Sequence, residues 1–166
     1  MRPDRMASGI EIPCGMDTPQ PTKSVAAHIR AATDADASAI ALLMRQLGYE
    51  ASEDLIADKL SLFSHSDSDI VFLATIDQRV AGCLSAHVLE LFHAAGRLGR
   101  ITSLVVDADA RGTGIGQALV DRAMLFFSQQ RCVRVEVTSG DHRLNAHAFY
   151  KAVGFVEDER RFIRHL

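Results

Sequence analysis

The sequence predicts one domain of the α/β or α+β class, with a mixed sheet and helices on both of its faces. Two observations support this class. Segments of strand period and helix period follow one another along the chain in the order β-αα-βββ-α-β-α-β. The 166 residues, 48% hydrophobic and 23% charged, have the composition of an ordinary globular domain that is long enough to bury a substantial core.

Strand and helix signals begin near residue 25. The segment AAHIRAA, residues 26–32, predicts a short strand. Thr33, followed by Asp36, predicts the start of a helix that Gly48 ends, and a second helix follows Ser52. The apolar faces of these helices consist of Ile40, Ala41, Met44 and Leu47 in the first and of Ile56, Leu60 and Phe63 in the second.

The middle of the chain predicts three consecutive strands. Residues 69–76 (DIVFLATI) and 79–90 (RVAGCLSAHVLE) are joined by the turn Asp77–Gln78 and predict a hairpin. A third strand is predicted over residues 99–107, GRITSLVVD. These strands supply the centre of the predicted sheet.

The last third of the chain predicts two helices and two strands. A helix over residues 114–130 carries the apolar stripe Ile115, Leu119, Ala123 and Phe126. Valines at 133, 135 and 137 alternate with polar residues, which predicts a strand with two different faces. A short helix over 145–153 is predicted to end at Gly154, and Phe155 to begin a final strand that reaches about residue 164.

Charge and cysteine content argue against several classes of protein. The net charge of −3 and the pI of about 6.1 lack the basic footprint of a nucleic-acid-binding domain. Cys14, Cys83 and Cys132 are odd in number and have no CxxC spacing, so we expect neither a disulfide framework nor a zinc site. The same cysteine content suits a reducing compartment, and we expect the protein in the cytoplasm. No segment approaches the ~18 apolar residues of a membrane span, so no membrane partner is expected.

The N-terminal segment differs in composition from the rest of the chain. All four prolines lie in the first 21 residues, and no apolar period crosses that stretch. We therefore expect residues 1–24 to form a poorly ordered extension and residues 25–166 to form the domain.

A glycine-rich loop, ARGTGIG at residues 110–116, separates the third of these strands from the helix that follows it. The first amides of a helix have no internal partner, and the helix dipole favours an anion beside them. Glycines let the main chain approach that anion closely. The loop therefore predicts a phosphate-binding site.

Two common phosphate loops do not fit this spacing. A nucleoside-triphosphate loop requires GxxxxGK[ST], and neither lysine nor serine follows Gly116. A dinucleotide loop requires GxGxxG directly after a strand, with an acidic residue about 20 positions later. Glu136 stands at that distance, but the glycines read GxGxG, and residues 107–111 separate the strand from the first glycine.

The loop resembles the pyrophosphate loop of the GNAT superfamily of acyl-CoA-dependent N-acyltransferases. That family's pattern is Gln/Arg-x-x-Gly-x-Gly/Ala, which Arg111, Gly114 and Gly116 match. The later segment NAHAFYKAVGF, residues 145–155, resembles the family's second recurrent segment, N-x-x-A-x-x-x-Y-x-x-x-G-F/Y, with a small difference in spacing around Ala148. The resemblance covers about residues 26–164.

The resemblance implies a mostly antiparallel sheet in which two neighbouring strands splay and hold acetyl-CoA as co-substrate. In such a site the strand before the loop pairs through its main chain with the pantetheine arm, and the loop amides hold the pyrophosphate. The cofactor-binding residues implied in this way are Leu104, Val105, Val106, Arg111, Gly112, Thr113, Gly114, Ile115, Gly116, Gln117, Asn145 and Tyr150.

Catalytic roles follow from the same resemblance. Tyr150 is expected to be the general acid that protonates the departing thiolate, and the main-chain N–H of Val106 to stabilise the oxyanion. The general base stays open among Glu90, Glu136 and His142, with Glu90 preferred. No metal site is expected, because the seven histidines form no HExxH pair.

The expected function is that of an N-acetyltransferase. An acetyl group would pass from acetyl-CoA to a primary amine of a small molecule or protein, by direct attack in a ternary complex. The alternative is a non-catalytic module on the same fold that binds acyl-CoA as a sensor or within an assembly. No nucleic-acid partner is expected, and a homodimer is plausible from the resemblance.

Overall fold

The computed structural model describes residues 26–158 and 162–166. Within these residues the chain forms one sheet of five strands in the order β1-β2-β3-β4-β5, with α1 and α2 on one face and α3 on the other. The strands are β1 His28–Ala31, β2 Asp69–Ile76, β3 Arg79–Glu90, β4 Arg97–Val106 and β5 Cys132–Val137; the helices are α1 Ala37–Leu47, α2 Glu53–Ser64, α3 Ile115–Gln129 and α4 Leu144–Ala152. The predicted fold class is confirmed.

The sheet is mostly antiparallel. Strands β1 to β4 are antiparallel neighbours, and β5 alone in the described sheet runs parallel to its neighbour β4. The β2–β3 hairpin turns at Asp77 and Gln78, whose φ angles of 46° and 64° are both left-handed. Such a two-residue turn matches the twist of the strands that it connects.

Strands β4 and β5 part before β4 ends. Their pairing stops at Ile101 and Val137, although β4 continues to Val106. Near the same point β4 carries a bulge, because Ser103 pairs with Ser85 and Ile101 with Ala86, which leaves Thr102 without a partner in β3. The predicted splayed strand pair is therefore present, and the five residues 102–106 have no neighbour on the β5 side in the described sheet.

Two apolar cores lie on the two faces of the sheet. The α3 face buries Ile115, Leu119 and Ala123 as the sequence predicts. The fourth residue of the buried stripe is Phe127 rather than the predicted Phe126, which is half-buried. Gly99 explains this choice, because a Cβ at that position would lie only 2.6 Å from the Phe127 ring; the missing side chain makes room for the phenyl group.

The C-terminal strand predicted from Phe155 is absent from the described residues 155–158 and 162–166, while residues 159–161 lie outside them. Phe155 is used to end α4 instead. Its N–H donates to Tyr150 O at 2.9 Å, the Gly154 N–H donates to Lys151 O at 3.2 Å, and Gly154 has a φ of 93°. The Phe155 ring also packs on Tyr150, so this residue completes a helix C-cap with its hydrophobic contact.

The predicted N-terminal extension, residues 1–24, lies outside the described residues, so the domain boundaries stay a prediction. No helix of the described chain is long and apolar enough to cross a membrane. In the same residues, no group of three or more His, Cys, Asp and Glu side chains is arranged to hold a metal ion.

Asp36 fastens β1 to the start of α1. Its side chain, 9% exposed, accepts two hydrogen bonds from the Arg30 guanidinium at 2.7 and 2.8 Å. The Thr33 N–H donates to the same carboxylate at 2.8 Å, as the predicted helix start requires. The hydrogen bonds from Arg30 outweigh the effect of burial and lower the pKa of Asp36 to about 2.

Because the pKa of Asp36 is lower in the folded than in the unfolded chain, its stabilisation is present near neutral pH and is lost as pH falls from about 4 towards 2. We expect Asp36→Asn to lower the free energy of unfolding by about 1–2 kcal/mol at pH 7, and by less at pH 3. Urea unfolding at both pH values measures this. The exposed neighbour Asp34 provides the control Asp34→Asn; equal losses in the two variants would contradict the prediction.

Candidate active site

A cleft of about 1510 Å³ opens where β4 and β5 part. One wall consists of residues 102–106 of β4, and the other of residues 137–143, which end β5 and lead into α4. The glycine loop, residues 110–116, and Gln117 close one end, and α4 covers the cleft with Asn145 and Tyr150. Every cofactor-binding residue named from the sequence except Thr113 lines this cleft.

The free edge of β4 presents main-chain groups to the cleft. The Asp107 N–H donates to Ala81 O at 2.8 Å and so points towards β3. Since successive residues of a strand point their amides to opposite sides, the N–H and C=O groups of Leu104 and Val106 face the cleft, whereas those of Val105 face β3. The Arg111 Nε, which donates to Val106 O at 3.2 Å from the open side, agrees with this assignment.

The glycine loop has the geometry of an anion seat. Gly112 and Gly114 have φ angles of 75° and 89°, and a Cβ built on either would meet no atom within 4 Å. The first hydrogen bond of α3 runs from the Ala118 N–H to Gly114 O at 3.0 Å, so the amides of Ile115, Gly116 and Gln117 have no acceptor inside the helix. A group of free amides at a helix N-terminus therefore faces open space.

The loop is held from α1. Gln46 donates through Nε2 to Asp107 at 2.9 Å and accepts from the Ala108 N–H at 3.1 Å. The hydrogen bond from Gln46 is the main reason why the pKa of Asp107 lies below its ordinary value. Inside the loop, the Thr113 hydroxyl donates to Ala110 O at 2.6 Å. The Thr113 side chain therefore stabilises the loop through this internal hydrogen bond and does not line the cleft.

Tyr150 lies on α4, where its ring packs edge-on against Phe149 and Phe155. Burial raises the pKa of Tyr150 above its ordinary value, and the nearby Arg143 opposes that effect. The hydroxyl is therefore protonated at neutral pH and able to donate a proton. Arg143 also donates to Leu47 O at 2.6 Å, which ties the start of α4 to the end of α1.

Glu90, the preferred base of the sequence analysis, does not lie in the cleft. It ends β3, where its carboxylate accepts from Arg97 Nε at 2.7 Å and the side chain is 74% exposed. Glu90 pairs with Arg97, which stands nine residues before Val106 on β4. Nine residues of strand span ~30 Å, so Glu90 is at the opposite end of β4 from the glycine loop.

The two other candidate bases lie closer to the cleft. His142 lines it directly. Glu136 stands on β5 beside it, but its carboxylate forms ion pairs with Arg100 at 2.9 Å and with Arg134 at 3.0 Å. Two guanidinium groups therefore already engage this carboxylate.

Sequence analysis missed one polar cluster beside the cleft. Ser85 and His87 on β3, Thr102 on β4 and Asp69 on β2 are joined by hydrogen bonds on the sheet face that carries α1 and α2. The alternation of Cys83, Ser85 and His87 along β3 is the signal in the sequence that places two polar groups on one face. Their partners on β2 and β4 depend on the strand register.

Comparison with known proteins decides the family. The model of the acetyltransferase (GNAT) family matches residues 37–155, which include β4, the glycine loop, β5 and α4. The chain belongs to the GNAT family of acetyltransferases. It is 31% identical over 126 residues, 75% of this chain and 79% of the relative, to the aminoalkylphosphonate N-acetyltransferase of Salmonella typhimurium.

Solved structures share the fold of this GNAT acetyltransferase. A transcriptional regulator from Bacillus halodurans C-125 superimposes with a TM-score of 0.77 at 19% identity, over 85% of this chain and all of the other, 100%. The aminoglycoside N-acetyltransferase AAC(6')-Iy, solved in complex with CoA, superimposes with a TM-score of 0.75 at 17% identity, over 85% of this chain and 96% of the other. Both the resemblance noted from the sequence and the assignment as an N-acetyltransferase are confirmed.

The environment of Tyr150 predicts its alkaline titration. The chain contains two tyrosines, and Tyr49 is 55% exposed. Because burial raises the pKa of Tyr150, we expect part of the tyrosinate absorbance to develop only above the ordinary pKa of tyrosine, ~10. In a spectrophotometric titration, Tyr150→Phe should remove this late component and Tyr49→Phe should keep it. If the late component instead survived in Tyr150→Phe and disappeared in Tyr49→Phe, the Tyr150 hydroxyl would be exposed to solvent and the prediction would be wrong.

Proposed function

We propose that this GNAT acetyltransferase transfers the acetyl group of acetyl-CoA to a primary amine of a small molecule, bound beside the thioester in the cleft. The observation that carries the proposal is the free edge of β4. It presents the amides of Leu104 and Val106 between a glycine loop at one end and the protonated Tyr150 on the facing helix. Such a site binds an extended polar arm, an anion and a leaving group together.

The residues of the cleft fit coenzyme A. The amides at the start of α3 and the open space before Gly112 and Gly114 suit a pyrophosphate, and the Arg111 guanidinium beside them adds a positive charge. The pantetheine arm carries amide groups that can pair with Leu104 and Val106, as an added strand would. Asn145, exposed at the start of α4, supplies a side-chain amide on the opposite wall.

Acetyl-CoA supplies a thioester whose carbon the amine attacks. An arm held by its pyrophosphate at the loop would pass Val106 before Leu104, so the thioester at its end would lie nearer to Leu104. We therefore assign the oxyanion to the cleft-facing N–H of Leu104 rather than to that of Val106, which binds the arm. The Tyr150 hydroxyl donates its proton to the sulfur as the C–S bond breaks.

The acceptor class rests on the relatives. The relative from Salmonella typhimurium is named for an aminoalkylphosphonate, and a relative from Oryza sativa, 28% identical over 76% of this chain and 78% of its own length, for glucosamine 6-phosphate. Both names describe small molecules that carry an amine. A small-molecule amine is therefore the first class to test here.

A cytoplasmic location is also part of the proposal, because acetyl-CoA and free thiols occur together in reducing compartments. Cys83 is buried, and burial raises its pKa to about 12. Burial likewise raises the pKa of the half-buried Cys132, and both thiols are free. Protonated thiols of this kind are unreactive.

The pyrophosphate seat can be tested with a pair of variants at Gly114. Both Gly114→Glu and Gly114→Gln place a side chain at the same left-handed φ of 89°, and they differ only in charge. We expect the Glu variant to bind CoA at least about 10-fold more weakly than the Gln variant, since its carboxylate faces the phosphates at close range. Isothermal titration calorimetry measures both. Equal affinities of the two variants for CoA would show that the pyrophosphate does not bind at this loop.

Turnover is tested by thiol release from acetyl-CoA with a panel of amines, including an aminoalkylphosphonate, glucosamine 6-phosphate, an aminoglycoside and a lysine peptide. We expect N-acetylation of at least one small molecule, and a fall in kcat of about 10-fold or more for Tyr150→Phe with KM for acetyl-CoA little changed. Tyr49→Phe, at the other tyrosine that lines the cleft, is the comparison variant and should keep its kcat. CoA binding without turnover on any amine would contradict the proposed function.

A further inference from the structure

Four side chains on three neighbouring strands form a continuous hydrogen-bonded chain, here named the His87 relay. The Asp69 carboxylate lies 2.7 Å from His87 Nδ1, and His87 Nε2 lies 2.8 Å from the Thr102 hydroxyl. The Ser85 hydroxyl lies 2.6 Å from that of Thr102. The mechanism proposed so far uses none of these groups, and it lacks a proton acceptor for the amine.

The chemistry of the partners sets the direction of each hydrogen bond. Burial raises the pKa of Asp69, but hydrogen bonds from Ser66 and His87 lower it more, so the carboxylate is ionised and only accepts. In its neutral form, an imidazole bound to that carboxylate donates through Nδ1 and accepts at Nε2, here from the Thr102 hydroxyl. Thr102 in turn accepts from Ser85 and has a lone pair left for a further donor.

The outer end of the relay is in the cleft. Thr102 is the bulged residue of β4, is exposed and lines the cleft. It stands two residues, ~7 Å along the strand, from Leu104, whose N–H faces the cleft. His87 lies behind it with 20% of its side chain exposed, and the Phe63 ring of α2 packs edge-on against the imidazole at 5.4 Å. An amine that approaches a thioester at Leu104 meets Thr102.

We propose that His87, held by Asp69, is the proton acceptor of the reaction and works through the Thr102 hydroxyl. This inference rests on the proposed function. The acceptor ammonium gives a proton to Thr102 Oγ1 while the Thr102 hydroxyl proton passes to His87 Nε2. The free amine then forms the C–N bond as the C–S bond breaks. The attacking nitrogen loses its second proton to solvent, and Tyr150 protonates the thiolate. Solvent then returns a proton to Tyr150 and takes one from the His87 imidazolium, so that each turnover releases one proton.

The charges around His87 favour this role. Asp69 faces the imidazole from β2 and stabilises the imidazolium that forms. The guanidinium of Arg100, the β4 residue paired with His87, opposes the imidazolium charge, but it is bound by Glu136 on β5 and by Thr138 directly after that strand. From α2 the neighbour is the uncharged ring of Phe63. The Asp69 carboxylate contacts Nδ1 directly, whereas the charge of the Arg100 guanidinium is already paired. The carboxylate is therefore the stronger electrostatic influence on the imidazole.

The test compares variants with the amine that wild type acetylates best. We expect His87→Gln to lower kcat about 100-fold, with KM for acetyl-CoA within about 2-fold of the wild-type value. In the pH profile of kcat, the same variant should lose the acidic limb, which reports protonation of the base. Added imidazole should restore part of the activity of His87→Ala. Thr102→Val should lose activity and Thr102→Ser keep it. His93→Gln, in the exposed turn after β3, is the control.

A structural role for the cluster predicts a different result. If the relay only fastened β2 to β4, Thr102→Ser and Thr102→Val would act through stability, with thermal unfolding lowered, the pH profile unmoved and no rescue by imidazole. Turnover that survives in His87→Gln, or that is lost in Glu90→Gln instead, would overturn the relay and leave the acetyltransferase proposal standing. Wild type without turnover on any amine would overturn both.

Discussion

The parting of two parallel strands is the constraint on which the site depends. Where β4 and β5 pair, each satisfies the hydrogen-bonding groups of the other. Beyond Ile101 and Val137, the main-chain groups of β4 that face away from β3 have no strand partner in the described sheet. Unsatisfied main-chain groups in a cleft are costly unless water or a ligand pairs with them. An extended ligand that carries amides of its own therefore gains affinity from the strand edge without any particular side chain.

The anion end of the cleft is positioned by the core beneath it. Gly82 on β3 lacks a side chain where a Cβ would lie 3.2 Å from both Ile115 and Leu119, so α3 packs directly on the strands. Gly116 similarly admits the Phe149 ring of α4, at 3.1 Å from where its Cβ would be. Close packing of this kind holds the N-terminus of α3 and the Tyr150 helix rigidly with respect to β4.

The sheet face that carries α1 and α2 has a different chemical character beside the cleft. On the face that carries α1 and α2, the sheet presents Ser85, His87, Arg100 and Thr102 beyond the apolar core of Leu73, Cys83 and Val105. The bulge at Thr102 matters here, because it shifts the β3–β4 register by one residue and brings a hydroxyl between the imidazole and the cleft. The same irregularity thus coincides with the opening of the strands and places a polar group at that point.

Local patterns in the sequence determined the elements, the ends of α1 and α4, the glycine loop and the position of Tyr150, because helix and strand periods, caps and loop spacing depend on neighbours within a few residues. They failed at Phe155, where a helix cap competed with a strand for the same apolar residue, and at Phe126, where Gly99 on another element selected Phe127 instead. Only the tertiary structure decided which amides of β4 face the cleft. It also placed Glu90 outside the cleft, at the end of β4 that is remote from the glycine loop. It also brought Asp69, His87 and Thr102 into contact, because these residues lie on separate strands and only pairing register and a bulge make them neighbours.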